Sequence, residues 1–179
     1  AALFYMDITD IHVYKTIGYT SLADNAKKAH SMGGEFQAKY LPCDTVELTA
    51  GASVIHARYD DYDAGSKNLR GERIAQTPDY SLMLGAAYHD PSGFYVRADG
   101  RHYGIRTFYD GTTTTFTTAD PYTVVDGRIG YCFDGFDIYA YMKNIFNEGY
   151  VTGFRSSSLM SMAGVGDPRN VGIGVNYHF

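Results

Sequence analysis

The chain has 179 residues and a formal net charge of −5, with 17 Tyr, 10 Phe and 20 Gly but no Trp. Because its basic residues are scattered singly, it has no cationic stripe for a phosphate backbone, which excludes nucleic acid as a partner. No stretch approaches the roughly 18 uninterrupted apolar residues of a membrane helix, yet a spanning β-strand needs only about 9–11 residues with alternate apolar positions. The composition therefore favours strands and is compatible with a membrane protein.

Apolar and polar residues alternate along the chain with a period of two, and this pattern predicts eight β-strands. In chain order the predicted strands include residues 3–14, 32–40, 46–54, 80–88, 94–103 and 126–133, a segment after residues 134–135, and residues 171–179. In residues 80–88 an apolar row ends at both sides in tyrosine, which is typical of a lipid-facing stripe bounded by aromatic girdles. Two strands change phase, after Ile8 and after Val54, and a β-bulge or the end of the membrane zone would explain either change.

Charged residues alternate with the apolar ones and are predicted to face inward. In the strand from Phe94, the outward residues are apolar while Tyr95, Arg97 and Asp99 face the other way, which suits a water-filled lumen. Cross-strand pairs such as Asp99 with Arg128 would bridge neighbouring strands. The predicted inward charges are Glu35, Lys39, Glu47, Arg97, Asp99, Arg101, Asp126 and Arg128.

The lengths of the connections give an orientation, because outer-membrane barrels have short periplasmic turns and long extracellular loops. Short turns are predicted at residues 41–44, 90–93 and 134–135, and long loops at about 15–29, 60–77, 109–121 and 151–168. If the last strand runs towards the periplasm, all short turns are periplasmic and all long loops extracellular. The sequence therefore predicts an all-β, transmembrane antiparallel β-barrel in a bacterial outer membrane.

Five segments resemble TonB-dependent outer-membrane receptors of the siderophore-receptor type. They are LFYMDITDI at residues 3–11, SMGGEF at 31–36, MKNIFNEGY at 142–150, GDPRNVG at 166–172 and the terminal aromatic Phe179. They follow the family's order over essentially the whole chain. Since such receptors have about 22 strands around a plug, the resemblance implies that residues 1–179 are the last eight strands of the barrel, without the plug domain and the N-terminal strands.

The resemblance also implies a function and partners. The whole receptor would transport a scarce nutrient, most often a ferric siderophore, across the outer membrane, and would contact TonB through its missing N-terminal part. The inward charges would brace the plug, while Val175, Tyr177 and Phe179 would form the signal that the barrel-assembly machinery reads. Lipid and lipopolysaccharide would surround the barrel. Haem, cobalamin or a glycan could replace the siderophore.

The long loops carry aromatic and basic residues that could bind an anionic, partly aromatic iron chelate. These are Tyr59, Tyr62, Arg70, Tyr109, Phe116, Phe154 and Arg155. The alternative is that they anchor the loops at the lipopolysaccharide boundary. We identify no catalytic residue, no cofactor and no metal site, although the acidic residues 60–63 with Glu72 at an EF-hand-like distance leave a calcium loop as a weaker alternative.

Two other protein classes remain open at this stage. A free-standing eight-stranded outer-membrane barrel, such as an adhesin, a small membrane enzyme or a structural anchor, would satisfy the strand number. A soluble lipocalin-like binder would need apolar residues inside and polar residues outside, the reverse of the pattern from Tyr80 and Phe94. Cys43 and Cys132 form neither a disulfide framework nor a metal spacing, and the N-terminal residues have no signal-peptide pattern.

Overall fold

The computed structural model describes residues 1–17, 20–64, 67–110, 115–156 and 160–179, which form β-strands and their connections. The strands are β1 (Ala2–Ile17), β2 (Thr20–Cys43), β3 (Val46–Asp61), β4 (Tyr80–His89), β5 (Phe94–Tyr103), β6 (Arg106–Asp110), β7 (Thr115–Ala119), β8 (Tyr122–Phe133), β9 (Phe136–Lys143), β10 (Val151–Ser156), β11 (Ser161–Val165) and β12 (Asn170–Tyr177). Within these described ranges, no helix is long and apolar enough to cross a membrane.

Eight of the strands form one antiparallel sheet, in the order β1-β2-β3-β4-β5-β8-β9-β12. Each neighbour in the sheet is also the next of these eight strands along the chain, as expected for an up-and-down barrel wall. The remaining strands form two separate hairpins, β6–β7 and β10–β11, which belong to the connections. The prediction of eight spanning strands is therefore confirmed.

The sheet is open in the described part of the chain. Strands β1 and β12 are its two edges and do not pair with each other. A free-standing eight-stranded barrel would close by pairing its first strand with its last, because closure is what removes the exposed edges. The open sheet therefore argues against the free-standing barrel.

The two faces of the sheet differ in chemistry. The outer face carries large apolar side chains in full contact with the surroundings, such as Leu84 at 68% and Ile173 at 85% exposure. The opposite, inner face carries all eight of the predicted inward charges, as the strand register places them on one side. An extensive exposed apolar surface marks an interface or a membrane-facing surface, so this arrangement supports a lipid-facing outside and a wet inside.

Two of the short turns, at residues 90–93 and 134–135, lie where the sequence predicts them, whereas the first lies at residues 44–45 because β2 continues to Cys43. Asp134 and Gly135 both have positive φ, 44° and 82°, as in the two-residue turns that join β-hairpins. In the turn after β4, the Ser92 N–H donates to Asp90 Oδ1 (2.9 Å) and the Tyr88 hydroxyl donates to Asp90 Oδ2 (2.9 Å). Hydrogen bonds from Ser92, and then from Tyr88, lower the pKa of Asp90.

The long connections contain more regular structure than the sequence suggests. The predicted loop at residues 15–29 was wrong: β1 continues to Ile17 and β2 begins at Thr20, and their register is maintained over this extension. The sequence of this extension shows no apolar alternation from which to predict strands. The loop predicted at 109–121 overlaps the β6–β7 hairpin, which begins earlier at Arg106, and the loop predicted at 151–168 contains the β10–β11 hairpin.

The two phase changes have different causes. At Val54 and Ile55 the pairing with β2 runs on without a shift, and the register shift comes only beyond Tyr59, so the change marks the end of the apolar outer face. In β1 the change follows Asp10, whose φ is +56°. Beyond these points the apolar side chains pack inward in a cluster of Ala29, Tyr59, Tyr62, Ala64 and Leu69, with Ile11 and Val13 against it.

Candidate functional site

The inner face is a wall of paired charges. The register places Arg97 of β5 opposite Arg128 of β8, and Asp99 opposite Asp126. Like charges directly opposite each other are destabilising, so each group finds another partner. Arg97 donates to Asp99 on its own strand through Nε and Nη2 (both 2.7 Å), and the predicted pairing of Asp99 with Arg128 was therefore wrong.

The charge pairs connect neighbouring strands into a network. Lys39 of β2 binds Glu47 of β3 (Nζ–Oε2, 2.8 Å), and Arg97 reaches the same Glu47 (Nη1–Oε1, 3.6 Å). Arg101 of β5 pairs with Asp126 of β8. Most of these groups are partly solvated, so each pair contributes little stability by itself and their main effect is a wall with balanced charge.

Arg128 lies in the most elaborate part of this wall. It donates to Asp137 of β9 (Nη2–Oδ2, 2.6 Å), and Tyr95 donates its hydroxyl to the other oxygen of the same carboxylate (2.7 Å). The guanidinium carbon lies 3.5 Å from the centroid of the Tyr139 ring and 5.3 Å from that of Tyr95, which is cation–π geometry. Asp137 was missed in the sequence; counting inward parity from the turn at residues 134–135 would have found it.

Tyrosine rings cover glycines along this part of the inner face. Tyr139 lies over Gly174 and Tyr141 over Gly172, so closely that a Cβ on either glycine would lie 2.4–2.6 Å from the nearest ring atom. Tyr95 covers Gly130 in the same way. The glycines of the terminal strand therefore serve close packing across strands.

Asn144 is a hydrogen-bonding hub at the outer end of β9. Its side chain is 3% exposed, and its Nδ2 donates to the carbonyls of Glu148 (2.9 Å) and Asp167 (3.0 Å). Its Oδ1 accepts from the Glu148 N–H (2.8 Å), while its backbone N–H donates to Asp126 (2.9 Å). Asn147 Oδ1 accepts from the Arg169 N–H (2.9 Å). The segments at 142–150 and 166–172 are thus fastened to each other at the base of the last loop.

A recess of about 740 Å³ opens on the inner face beside this hub. Tyr122 stacks on Tyr150 with centroids 4.2 Å apart and an interplanar angle of 9°, and packs on Tyr103 at 5.2 Å. Arg106, at the start of β6, donates to the Tyr122 hydroxyl. The recess is lined by Arg101, Tyr103, Tyr122, Val124, Asp126, Lys143, Asn144, Tyr150, Asp167, Pro168 and Asn170. Sequence reasoning did not single out this stack, because its members come from four separate segments.

The candidate ligand-binding residues of the loops fall into different surroundings. Tyr59 and Tyr62 are buried in the apolar cluster, and Tyr109 and Phe116 pack against it with ring centroids 5.1 Å apart. Arg70 is exposed on the connection after β3. Phe154 is half-buried on β10, and the Arg155 side chain lies outside the described residues. The structure thus brings four of the seven together.

The candidate assembly signal lies at the opposite end of the sheet. Val175, Tyr177 and Phe179 all face outward and are exposed. Tyr177 contacts Phe136 (centroids 4.7 Å apart) and Phe179 (6.3 Å), continuing an aromatic row along the short-turn side. The terminal strand is also held by a hydrogen bond from the His178 N–H to the Gly135 carbonyl (2.8 Å).

No three His, Cys, Asp or Glu side chains converge as a metal site in the described part of the chain. In the acidic connection considered for calcium, Asp60 contacts His30 (2.9 Å), and Asp61 and Glu72 each lie 3.8 Å from a lysine. The carboxylates there have protein partners. Cys43 and Cys132 are both free and exposed.

Comparison with known proteins gives one family and a consistent set of folds. Residues 1–145 match the family described as TonB dependent receptor-like, beta-barrel. The ferric yersiniabactin uptake receptor FyuA from Yersinia pestis superposes with a TM-score of 0.78 at 22% identity, over 99% of this chain and 27% of that one. The closed form of the ferric-catecholate import receptor Fiu from E. coli K12 gives 0.69 at 22%, over 99% and 24%. The siderophore receptor PiuA from Acinetobacter baumannii gives 0.72 at 16%, over 98% and 25%.

Proposed function

Since this chain belongs to the TonB-dependent receptor-like β-barrel family, we propose that it forms part of the wall of an outer-membrane receptor that imports a ferric siderophore. The chain spans about a quarter of the length of the receptors it resembles. The plug, the contact with TonB and the transported ligand therefore belong to the proposal.

The observation that carries the proposal is the division of the sheet into an apolar outside and a charged inside. A wall of this kind lets a polar cargo pass through lipid while water remains on the inner side. The family to which the chain belongs consists of receptors. The inner face offers charged and tyrosine side chains that can bind a polar cargo. Import by this wall would thus depend on binding and gated passage.

The inner face has the properties expected of a surface that holds a removable plug. The paired charges balance one another, so a plug could leave them without stranding an unpaired ion, which would be costly in a poorly solvated site. Among the described residues, Glu35 and Lys143 make no ion pair, and their charges would be available to the plug. The inward charges would then hold water and brace the plug through hydrogen bonds and a few ion pairs.

The ligand would enter from the side of the long connections. Tyr109, Phe116 and the exposed Arg70 would offer aromatic faces and a cation to an anionic chelate, while Tyr59 and Tyr62 would support them from the buried cluster. Phe154 and Arg155 would contribute from the β10–β11 hairpin. A ferric siderophore, with its negative charge and frequent aromatic groups, fits this chemistry.

Uptake of labelled iron by the producing bacterium tests the proposal. We expect that deleting the gene abolishes uptake of ⁵⁵Fe from one siderophore in a panel, that the intact gene restores it, and that a gene lacking the plug-coding region does not. Haem and cobalamin in the same assay test the other nutrients. Unchanged uptake of every compound in the deletion strain would overturn the proposal.

A further inference from the structure

At the end of the sheet that carries the long connections, the apolar outer face is bordered by a row of polar residues, most of which have rings. Above the apolar residues, the first polar outward positions are Thr123 in β8, His102 in β5, Tyr80 in β4, His56 in β3 and His30 in β2, as the strand register shows. Tyr5 of β1 pairs with His30 by ring stacking at 6.3 Å. We call these six residues the outer belt. The boundary rises from β8 to β2, as it must when strands are tilted in a barrel.

The residues of the outer belt are tied to one another. His102 lies within hydrogen-bonding distance of Thr123 (Nδ1–Oγ1, 2.9 Å) and of Tyr80 (Nε2–Oη, 3.2 Å), so both of its ring nitrogens are occupied. The rings of His30 and His56 follow at 6.4 Å. The belt is therefore an ordered surface directly above the lipid-facing residues.

Arg58 lies one outward position above His56 and fixes its tautomer. Arg58 Nε donates to His56 Nε2 (2.8 Å), and Arg58 Nη1 donates to the Gly71 carbonyl (2.6 Å). Because the guanidinium can only donate, His56 Nε2 accepts, and the neutral imidazole carries its proton at Nδ1. Arg58 Nη2 and His56 Nδ1 are thus two neighbouring donors for which the described residues supply no acceptor.

Nearby carboxylates do not neutralise Arg58, because each has another partner. Asp60 contacts His30 through both oxygens, at 2.9 and 3.0 Å. Asp7 accepts from the Tyr5 hydroxyl (3.1 Å), and Asp79 pairs with Arg73, which lies beside Arg58 across an isolated bridge. Among the described residues of this patch, Arg58 is therefore the cation that no carboxylate neutralises.

We propose that Arg58 and His56 bind a phosphate group of lipopolysaccharide. The inference rests on the proposed outer-membrane placement, which puts this end of the sheet in the outer leaflet. A guanidinium with a free terminal nitrogen and an adjacent imidazole N–H match the oxygens of a phosphate, and charge-assisted hydrogen bonds of this kind are the strong ones. The occupant is a lipid because the patch continues the lipid-facing surface without interruption.

The test is native mass spectrometry of the full-length receptor titrated with lipid A. We expect Arg58→Gln and His56→Phe each to weaken the affinity for lipid A by roughly tenfold, as the loss of one charge-assisted contact implies. Arg58→Lys keeps the charge and should therefore lose less affinity for lipid A than Arg58→Gln does. On the inner face, Lys39→Gln also removes a cation and His89→Phe also removes an imidazole, and both variants should bind lipid A as the wild type does.

Two further ligands distinguish the phosphate of lipid A from that of a glycerophospholipid. Dephosphorylated lipid A should bind the wild type as weakly as lipid A binds Arg58→Gln, while phosphatidylglycerol should bind wild type and variants alike. Equal affinity of the wild type, Arg58→Gln and His56→Phe for lipid A would overturn the inference, as would an equal loss of affinity for phosphatidylglycerol. Failure of the wild type to insert as a heat-modifiable barrel in any lipid would instead contradict the proposed function.

Discussion

Arg128 combines three interactions that a lysine could not reproduce together. Its guanidinium donates to Asp137, while the guanidinium carbon lies 3.5 Å from the centroid of the Tyr139 ring and 5.3 Å from that of Tyr95. A planar, delocalised cation can stack and pair at the same time, whereas an ammonium is a compact and strongly hydrated charge. Replacing Arg128 with lysine therefore keeps the positive charge but removes the stacking on the tyrosine ring.

We expect Arg128→Lys to reduce the free energy of unfolding of the full-length receptor by about 1 kcal/mol, the value of a partly solvated cation–π contact. Arg101→Lys is the matched control, since the described contacts of Arg101 are limited to its pairing with Asp126, and it should cost less. Urea unfolding in detergent micelles, followed by tyrosine fluorescence, measures both. Equal losses in the two variants would show that the stacking contributes nothing.

Two glycines with left-handed backbone separate conformational strain from collision. Gly71 has φ +81° and open space where a Cβ would be, whereas Gly93 has φ +102° and would place a Cβ 2.2 Å from the Cys132 carbonyl oxygen. Since that oxygen belongs to the backbone, it cannot move aside without disturbing the turn. The two positions therefore form a natural pair for comparison.

Gly71→Ala should cost about 1 kcal/mol of stability, from the left-handed conformation alone. Gly93→Ala should cost about 3 kcal/mol or more, because the collision is added to the strain. Thermal unfolding of the two variants in the same detergent gives the comparison. If Gly93→Ala were no worse than Gly71→Ala, the turn would be relaxing away from the geometry described.

At the scale of elements, the spanning strands were predictable because lipid on one side and water on the other impose alternation. The segment at 80–88 shows this, with Tyr80 and Tyr88 ending an apolar row. The extensions of β1 and β2 and the two outer hairpins were not predictable, since their sequences lack regular apolar alternation. The candidate site was predictable to the same extent. The alternation of residues placed Arg97 and Asp99 on the correct face of the sheet. Their partners could not be predicted, because they depend on the register between strands, which a single sequence does not specify.

The two outer hairpins are joined by aromatic packing. Arg106 at the base of β6–β7 bonds to Tyr122, and Tyr122 stacks on Tyr150 at the base of β10–β11. Tyr150 in turn covers Gly166 at the end of the second hairpin. We infer that the hairpins hold a defined mutual arrangement.

Spin labels at Thr118→Cys and Met162→Cys, with both native cysteines replaced by serine, report the distance between the hairpins. We expect a narrow distribution by double electron–electron resonance, and a broader one after Tyr150→Ala because the stack is lost. Tyr141→Ala removes a ring that lies over Gly172 on the wall and serves as the control. An unchanged distribution in Tyr150→Ala would mean that the hairpins are held by other contacts.

At the scale of the whole molecule, the main feature is that the eight-stranded sheet is open, with β1 and β12 as its edges. Both edge strands present unpaired backbone donors and acceptors, which template association with other chains. Within the receptor, further strands of the barrel would cover them. The alternation of residues within a chain therefore predicts the type of sheet, but it does not specify which strands pair with the two edges.

Expressed alone, residues 1–179 should therefore aggregate or associate instead of forming a monomeric barrel. Refolding into detergent, followed by light scattering and by gel mobility with and without heating, tests this expectation. The full-length receptor is the control and should refold to a heat-modifiable monomer. A monomeric, heat-modifiable product from the short chain would favour the free-standing barrel instead.

The fastened base of the last loop has a practical consequence for protein engineering. The Gly166 N–H donates to the Tyr150 carbonyl (2.8 Å), and Asn144 and Asn147 hold the chain on either side of that bond. Residues between these anchor points can change in number while β12 keeps its register, because the fixed points lie below them. An epitope or an affinity tag inserted between β10 and β11 should therefore leave the pairing of β12 with β9 unchanged.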